Sequence, residues 1–208
     1  MRIRSDSIND EAPIDARYAF GVPDAEAHMA LGSNRSPHIA WTDVPEGTRS
    51  IAVICHDPDA PTSADDVNQE GRSVSATLPR TDFFHWVLVD VDPADGELAE
   101  GSHSDGVVAG GKTADAAPQG RPGVNTYTDF LAGSAELAGT YWGYDGPCPP
   151  WNDEIPHRYI FTVYALDVPR LEVDGAFTGE DVRQAIAGHV LAEASLTGTY
   201  SLNPEVPA

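Results

Sequence analysis

Four side chains in this sequence carry acid–base or anion-binding chemistry where strong apolar runs begin or end. They are Asp57 and Asp59 in S-I-A-V-I-C-H-D-P-D-A-P, His85 in F-F-H-W-V-L-V-D-V, and His157 in H-R-Y-I-F-T-V-Y-A-L. Two imidazoles, together with backbone N–H groups of the loop at Gly146 and Pro147, can donate charge-assisted hydrogen bonds to a phosphate or carboxylate. Asp57 would repel an anion at close range, but it can accept a histidine N–H, fix its tautomer and stabilise its cation. A ligand carrying both a phosphate and an amine would satisfy both signs. The rival chemistry is hydrolysis, because Asp and His also serve metal-assisted catalysis. No local H-x-x-x-H spacing supports a metal site, and no serine or cysteine has a visible partner base. Cys148, between Pro147 and Pro149, reads as a small residue packed in a rigid loop. No catalytic residue, metal or cofactor is therefore assigned, and a hydrolase using the same pocket stands as the alternative.

The elements that must position these groups are three strands. Ile51 to Cys55 is a continuous apolar run, and Pro58 and Pro61 are expected to stop it in a rigid acidic turn whose carboxylates need partners. In Phe83 to Val91, alternation places His85 with Val87, Val89 and Val91, and Trp86, Leu88 and Asp90 opposite, with His85 at the mouth of the strand. In His157 to Leu166, His157, Tyr159, Phe161 and Val163 share one face. If Asp57, His85 and His157 meet, the second and third strands run parallel to each other and antiparallel to the first. The competing reading is that each polar group caps its own strand at a different edge.

The rest of the chain fits one domain over residues 1–208, rich in β-structure, since glycine and proline are frequent and the apolar runs are short and rich in Val, Ile, Tyr and Phe. Residues 1–35 read as an arm or edge hairpin with short strands near Ala16 to Val22. Residues 62–82 and 93–141 read as long surface excursions. Gly110-Gly111-Lys112-Thr113 has the look of a phosphate loop but lacks its first glycine and its strand-to-helix context. One convincing helix is expected near the C-terminus. Thr178 and Asp181 form its capping box, and Val182, Ile186 and Val190 its packed stripe, to about Ala194, with His189 at its solvent edge.

Charge excludes some partners. Thirty-three acidic residues against 12 basic ones give a formal net charge of -21, and Lys112 is the single lysine. Such a surface disfavours nucleic acid and stable attachment to an anionic membrane. Acidic residues spread along the whole chain suit high salt, so a halophilic cytoplasm is the expected setting. The opening M-R-I-R-S-D-S-I-N-D-E-A-P has no apolar targeting run, and no segment approaches a membrane span. Two cysteines, Cys55 and Cys148, cannot build a disulfide framework and read as reduced packing thiols.

The three strand motifs and Y-D-G-P-C-P-P together resemble the phosphatidylethanolamine-binding protein (PEBP) family, which includes the Raf kinase inhibitor proteins. The likeness is strongest to its prokaryotic YbhB/YbcL-type branch. S-P-H-I-A-W-T-D-V-P-E-G-T-R-S and G-H-V-L-A-E-A-S-L-T-G-T-Y-S extend the likeness over most of the chain. One departure is Leu131, where the branch often has a glycine after Asp129-Phe130. The resemblance implies a PEBP-like fold, mainly β, with a large central sheet, a smaller packed sheet and peripheral helices. It implies an anion pocket at Asp57, His85, Gly146, His157 and Tyr159, with Pro58, Asp59, Phe83, Phe84 and Pro147 around it. It also implies a small anionic or zwitterionic phospho-ligand, an inhibitory role towards an unidentified protein partner, and a homodimer.

Overall fold

Ser50–Pro61, the segment that carries Asp57, forms the central strand of the largest sheet. In the computed structural model, which describes residues 1–208, the strands are β1 (Arg2–Arg4), β2 (Ala12–Pro13), β3 (Gly21–Asp24), β4 (His28–Leu31), β5 (Ile39–Thr42), β6 (Ser50–Pro61), β7 (Arg80–Val91), β8 (Gly96–Leu98), β9 (Arg121–Pro122), β10 (His157–Leu166) and β11 (Val190–Tyr200). Helices are few: α1 (Tyr127–Phe130), α2 (Gly179–Ala185) and two 3-10 turns. The fold is mainly β, as expected. The six-stranded sheet has the order β2-β11-β10-β6-β7-β9, the three-stranded sheet β1-β5-β8, and β3 pairs with β4 as a hairpin.

Both faces of the central sheet are covered. On one, Ile39, Trp41 and Leu98 of the small sheet pack with Ile51, Val53 and Cys55 of β6, Trp86 and Leu88 of β7, and Tyr159, Phe161 and Val163 of β10. On the other, Ala52, Ile54, Val87 and Val89 meet Leu171, Val173, Phe177 and the α2 residues Val182 and Ile186. Burial on both sides explains why β6 reads as an unbroken apolar run rather than an alternating one. β6 pairs antiparallel with both β7 and β10, so the second and third motif strands are parallel to each other, as site-sharing required.

Three details depart from the sequence reading. First, Pro58 does not stop the strand, which runs on and ends at Pro61. Asp57 pairs with Phe83 and Ala60 with Thr81, so Pro58 and Asp59 bulge opposite one residue of β7. A bulge leaves the ladder unpaired where proline has no N–H to give. Second, His85 lies inside β7 rather than at its mouth, and it is itself an extra residue: Cys55 faces Trp86 while His56 faces Phe84. The bulge turns His85 away from Val87 and Val89 and towards Tyr159. A second extra residue, Asp90 at φ 57, turns Val91 to the Trp86 side. Third, the helix after Thr178 ends at Ala185 rather than near Ala194. The capping box of Thr178 and Asp181 forms, but Gly188 at φ +85 breaks the helix. Val190 then begins β11, so the C-terminal helix is followed by a strand.

Candidate functional site

Where β6, β7 and β10 lie side by side, their polar residues meet at a cavity of about 130 Å³. A volume equal to a few water molecules suits a small ion or headgroup rather than a drug-sized ligand. Asp57, Phe83, His85, His157 and Tyr159 line it. Tyr127 and Phe130 of α1 and Cys148, Pro149 and Pro150 of the proline loop complete the inner wall, and Ala64, Val67 and Asn68 of the 62–82 segment form part of the rim. None of the α1 or 62–82 residues was marked by the sequence, because their contribution is apolar or small and comes from segments without periodicity.

His157 is held on both sides. Its Nδ1 bonds Asp57 Oδ2 at 2.6 Å and its Nε2 bonds Asp153 Oδ2 at 3.1 Å. Asp153 takes a two-pronged contact from Arg80, at 2.6 and 3.0 Å. Burial pulls the His157 imidazole towards neutrality, but the bonds to Asp153 and Asp57 outweigh it and raise its pKa to about 9. His157 is thus a cation whose two N–H groups are already spent on carboxylates. This revises the expectation that both imidazoles face the ligand as donors. Asp153, four residues before His157, was invisible as a partner because nothing in W-N-D-E-I-P distinguishes its role.

The two aspartates of the opening motif have different duties. Asp57 Oδ1 accepts the amide N–H of Asp59 at 2.7 Å, tightening the bulge. Asp59 does not line the cavity. Its carboxylate binds Arg158 Nη2 at 2.7 Å and Nε at 2.8 Å, and this pairing outweighs burial to hold its pKa below the ordinary value. Pro58 also stands outside the cavity, and Phe84 packs on the opposite face of the sheet.

Gly146 and Pro147 are likewise outside the lining. The Gly146 N–H donates to Asn34 Oδ1 at 2.8 Å and its carbonyl accepts from the Tyr127 hydroxyl at 2.7 Å. A Cβ at residue 146 would stand 1.9 Å from the Tyr18 carbonyl oxygen, so only glycine fits. The Pro147 carbonyl accepts from Phe20 and Gly21 at 2.9 and 3.1 Å. The glycine–proline loop therefore anchors the β3 hairpin rather than offering its amides to a ligand.

Two polar atoms are left open at the cavity. The Tyr159 hydroxyl is buried and has no hydrogen-bond partner. His85 donates Nδ1–H to the Asp145 carbonyl at 2.8 Å, so its Nε2 carries the lone pair and bonds nothing in the protein. The two rings pack edge to face with centroids 5.0 Å apart. Burial lowers the His85 pKa against the opposing pull of Asp57, which favours the neutral imidazole. Burial also pushes the Cys148 thiol up to about 12, which leaves it a poor nucleophile at neutral pH. Both cysteines are free thiols.

Comparison with known proteins bears on the family and the fold. The family model described as phosphatidylethanolamine-binding protein matches residues 4–201. The UPF0098 protein YbhB of Escherichia coli (strain K12) is 35% identical over 201 residues, which cover 97% of this chain and 100% of YbhB. A UPF0098 protein of Methanothermobacter thermautotrophicus is 33% identical over 200 residues, covering 96% of this chain and 98% of that one. Among solved structures, YbcL of Escherichia coli, described as a new member of the mammalian PEBP family, superposes with a TM-score of 0.68 at 27% identity, covering 96% of this chain and 97% of YbcL.

Proposed function

The chain belongs to the phosphatidylethanolamine-binding protein family, and from that premise we propose that it captures a small phosphate-bearing anion or zwitterion in the Asp57–His85–Tyr159 cavity without transforming it. The observation that carries this reading is the unpartnered Tyr159 hydroxyl beside the open Nε2 of His85. A buried hydroxyl without a partner costs roughly 1–3 kcal/mol, which a bound oxyanion would recover. On protonation His85 becomes a second donor to the same anion. Asp57 is no obstacle, because its charge is matched by the His157 cation, and an amine on the ligand would have a carboxylate within the same cavity. The aromatic and proline walls limit water and strengthen both bonds. The His157 nitrogens are engaged and the Cys148 thiol is raised, so neither supplies the base or nucleophile that hydrolysis would need. Inhibition of a phosphorylated protein partner is the downstream role such capture would serve, in a cytoplasm whose salt suits a charge of -21.

Isothermal titration with phosphate and with phosphoethanolamine tests the reading on wild type, His85→Ala, His157→Ala and Tyr159→Phe. Wild type is expected to bind, His85→Ala and His157→Ala to lose binding, and Tyr159→Phe to weaken it about tenfold, the worth of one such hydrogen bond. Binding that is undiminished in both His85→Ala and Tyr159→Phe would overturn the proposal, and turnover of a phosphate ester would replace it with the hydrolase.

A further inference from the structure

The Gly110-Gly111-Lys112 motif has a use unlike the phosphate loop it superficially matches. Gly110 and Gly111 adopt φ +80 and +85, and their main chain lies directly against that of residues 139–141. A Cβ on Gly111 would stand 2.2 Å from the Thr140 carbonyl oxygen, and one on Gly139 2.2 Å from that of Gly110. Two bare backbones can pass this closely only because neither carries a side chain. The contact delivers the chain's single lysine inward. Lys112 Nζ meets Asp145 Oδ1 at 2.6 Å, with the carboxylate fully buried.

Asp145 is joined to His85 twice through its main chain. Its N–H donates to the His85 carbonyl at 2.9 Å, and its own carbonyl accepts His85 Nδ1–H at 2.8 Å. Its carboxylate also accepts from Asn34 at 2.7 Å and Asn125 at 2.9 Å. We infer that Lys112 is a positioning residue of the cavity: it clamps Asp145 so that the Asp145 carbonyl holds His85 as the Nδ1–H tautomer and leaves Nε2 open to the ligand. The opposite tautomer would set the Nδ1 lone pair against a carbonyl oxygen. Removing the ammonium would leave a buried carboxylate supported by two amides alone, which is costly enough to move the loop or the charge.

The ligand half of this inference rests on the proposed anion site, whereas the tautomer half does not. Other groups face His85 as well: Asp57 and His157 at the cavity, Tyr127, Tyr159 and Cys148 around it, and His56 on β6. The close Nδ1 bond is to the Asp145 carbonyl, with the Gly146 backbone beside it, and Lys112 is the cation bonded to Asp145.

The test is ¹⁵N-imidazole NMR of the full chain, with the His85 signals identified by their loss in His85→Ala. Wild type is expected as Nδ1–H above its titration midpoint. In Lys112→Met, mixed tautomers are expected, with the midpoint raised by about half a unit or more as Asp145 loses its counter-charge. Phosphate affinity at pH 8 is expected to fall about tenfold, because the site gains an unbalanced negative charge. Lys112→Gln keeps a donor without the charge and serves if Lys112→Met does not fold. A wild-type Nε2–H tautomer overturns the inference, as does a His85 tautomer and midpoint unchanged in a folded variant. If wild type binds no phosphate, the anion-site reading fails while the tautomer measurement still decides the role of Lys112.

Discussion

Replacing His157 by glutamine should remove one large, separable share of the alkaline pH dependence of stability. In the folded protein its imidazole titrates at about 9 rather than the ordinary 6.5. Burial opposes the charge, but the bonds to Asp153 and Asp57 prevail. A histidine raised in the folded state contributes stability that is full below pH 6.5 and is lost as pH climbs through about 9. At about 1.4 kcal/mol for each pH unit separating the two values, the contribution is roughly 3 kcal/mol. Against the pull of burial, Asp153 is held below its ordinary value by its bonds to His157 and Arg80, and Arg80 remains its partner when His157 loses its proton. The assay is urea unfolding at pH 6 and pH 10 at matched high salt. Wild type should lose roughly 3 kcal/mol between them beyond any loss in His157→Gln. The variant will be less stable at pH 6, because two buried carboxylates lose their cation, but it should fall less steeply with pH than wild type. Parallel slopes in the two proteins would refute the bracketed-cation argument, because tyrosine and cysteine ionisation are common to both.

The remaining predictions concern other parts of the site and its surface. Tyr159→Phe should raise the ligand-free melting temperature by a few degrees, from about 1 kcal/mol recovered by removing an unpartnered hydroxyl, while weakening phosphate; calorimetry and titration on the same sample check both signs. Gly146→Ala should cost at least about 3 kcal/mol or prevent folding, since its Cβ would collide with the Tyr18 carbonyl; urea unfolding measures it. Phosphate should bind more tightly as pH falls and with net proton uptake, because burial favours the neutral His85 and an anion at Nε2 favours its cation. Titration in two buffers of different ionisation enthalpy would show no difference if that is wrong. Stability should rise markedly between 0.1 and 2 M KCl, as screening shortens from about 10 Å to a few ångströms; equal stability at both ends would remove the argument for salt adaptation.

Alternation and apolar runs disclosed the central architecture before any geometry was known. They did so because β6, β7 and β10 are buried on both faces, where a wrong register would bury polar groups. The faces of β10 followed from that, whereas the meeting of Asp57 with His157 was one of two readings the strands allowed. What was hidden depends on single extra residues and on contacts distant in sequence. The bulge at His85 reverses the side predicted by alternation. The bulge at Pro58 lets the strand pass that proline and run on to Pro61. Val182, Ile186 and Val190 have helical spacing, yet Gly188 separates a helix from a strand, and the small and polar residues of β11 gave no stronger competing signal. Asp153 could not be assigned because nothing in its local sequence marks its role, and Lys112 because it acts through one partner distant in sequence. Gly146 was expected to offer its amide to a ligand, whereas a glycine is required there by the approach of the Tyr18 backbone.

The pairing of β6 with β10 also dictates when the cavity can exist. Asp57 and His157 are 100 residues apart, and closing a loop of that length costs roughly 4 kcal/mol of chain entropy before any contact repays it. The β6–β7 hairpin closes over a far shorter span and is the natural early nucleus, while the His157 wall arrives with the late, non-local step. Half of the cavity is therefore present in a partly folded chain, without its cation and without the Tyr159 hydroxyl. A phosphate ion held by Tyr159 would bind only chains that have completed this closure. By mass action it would draw the population past the slow step.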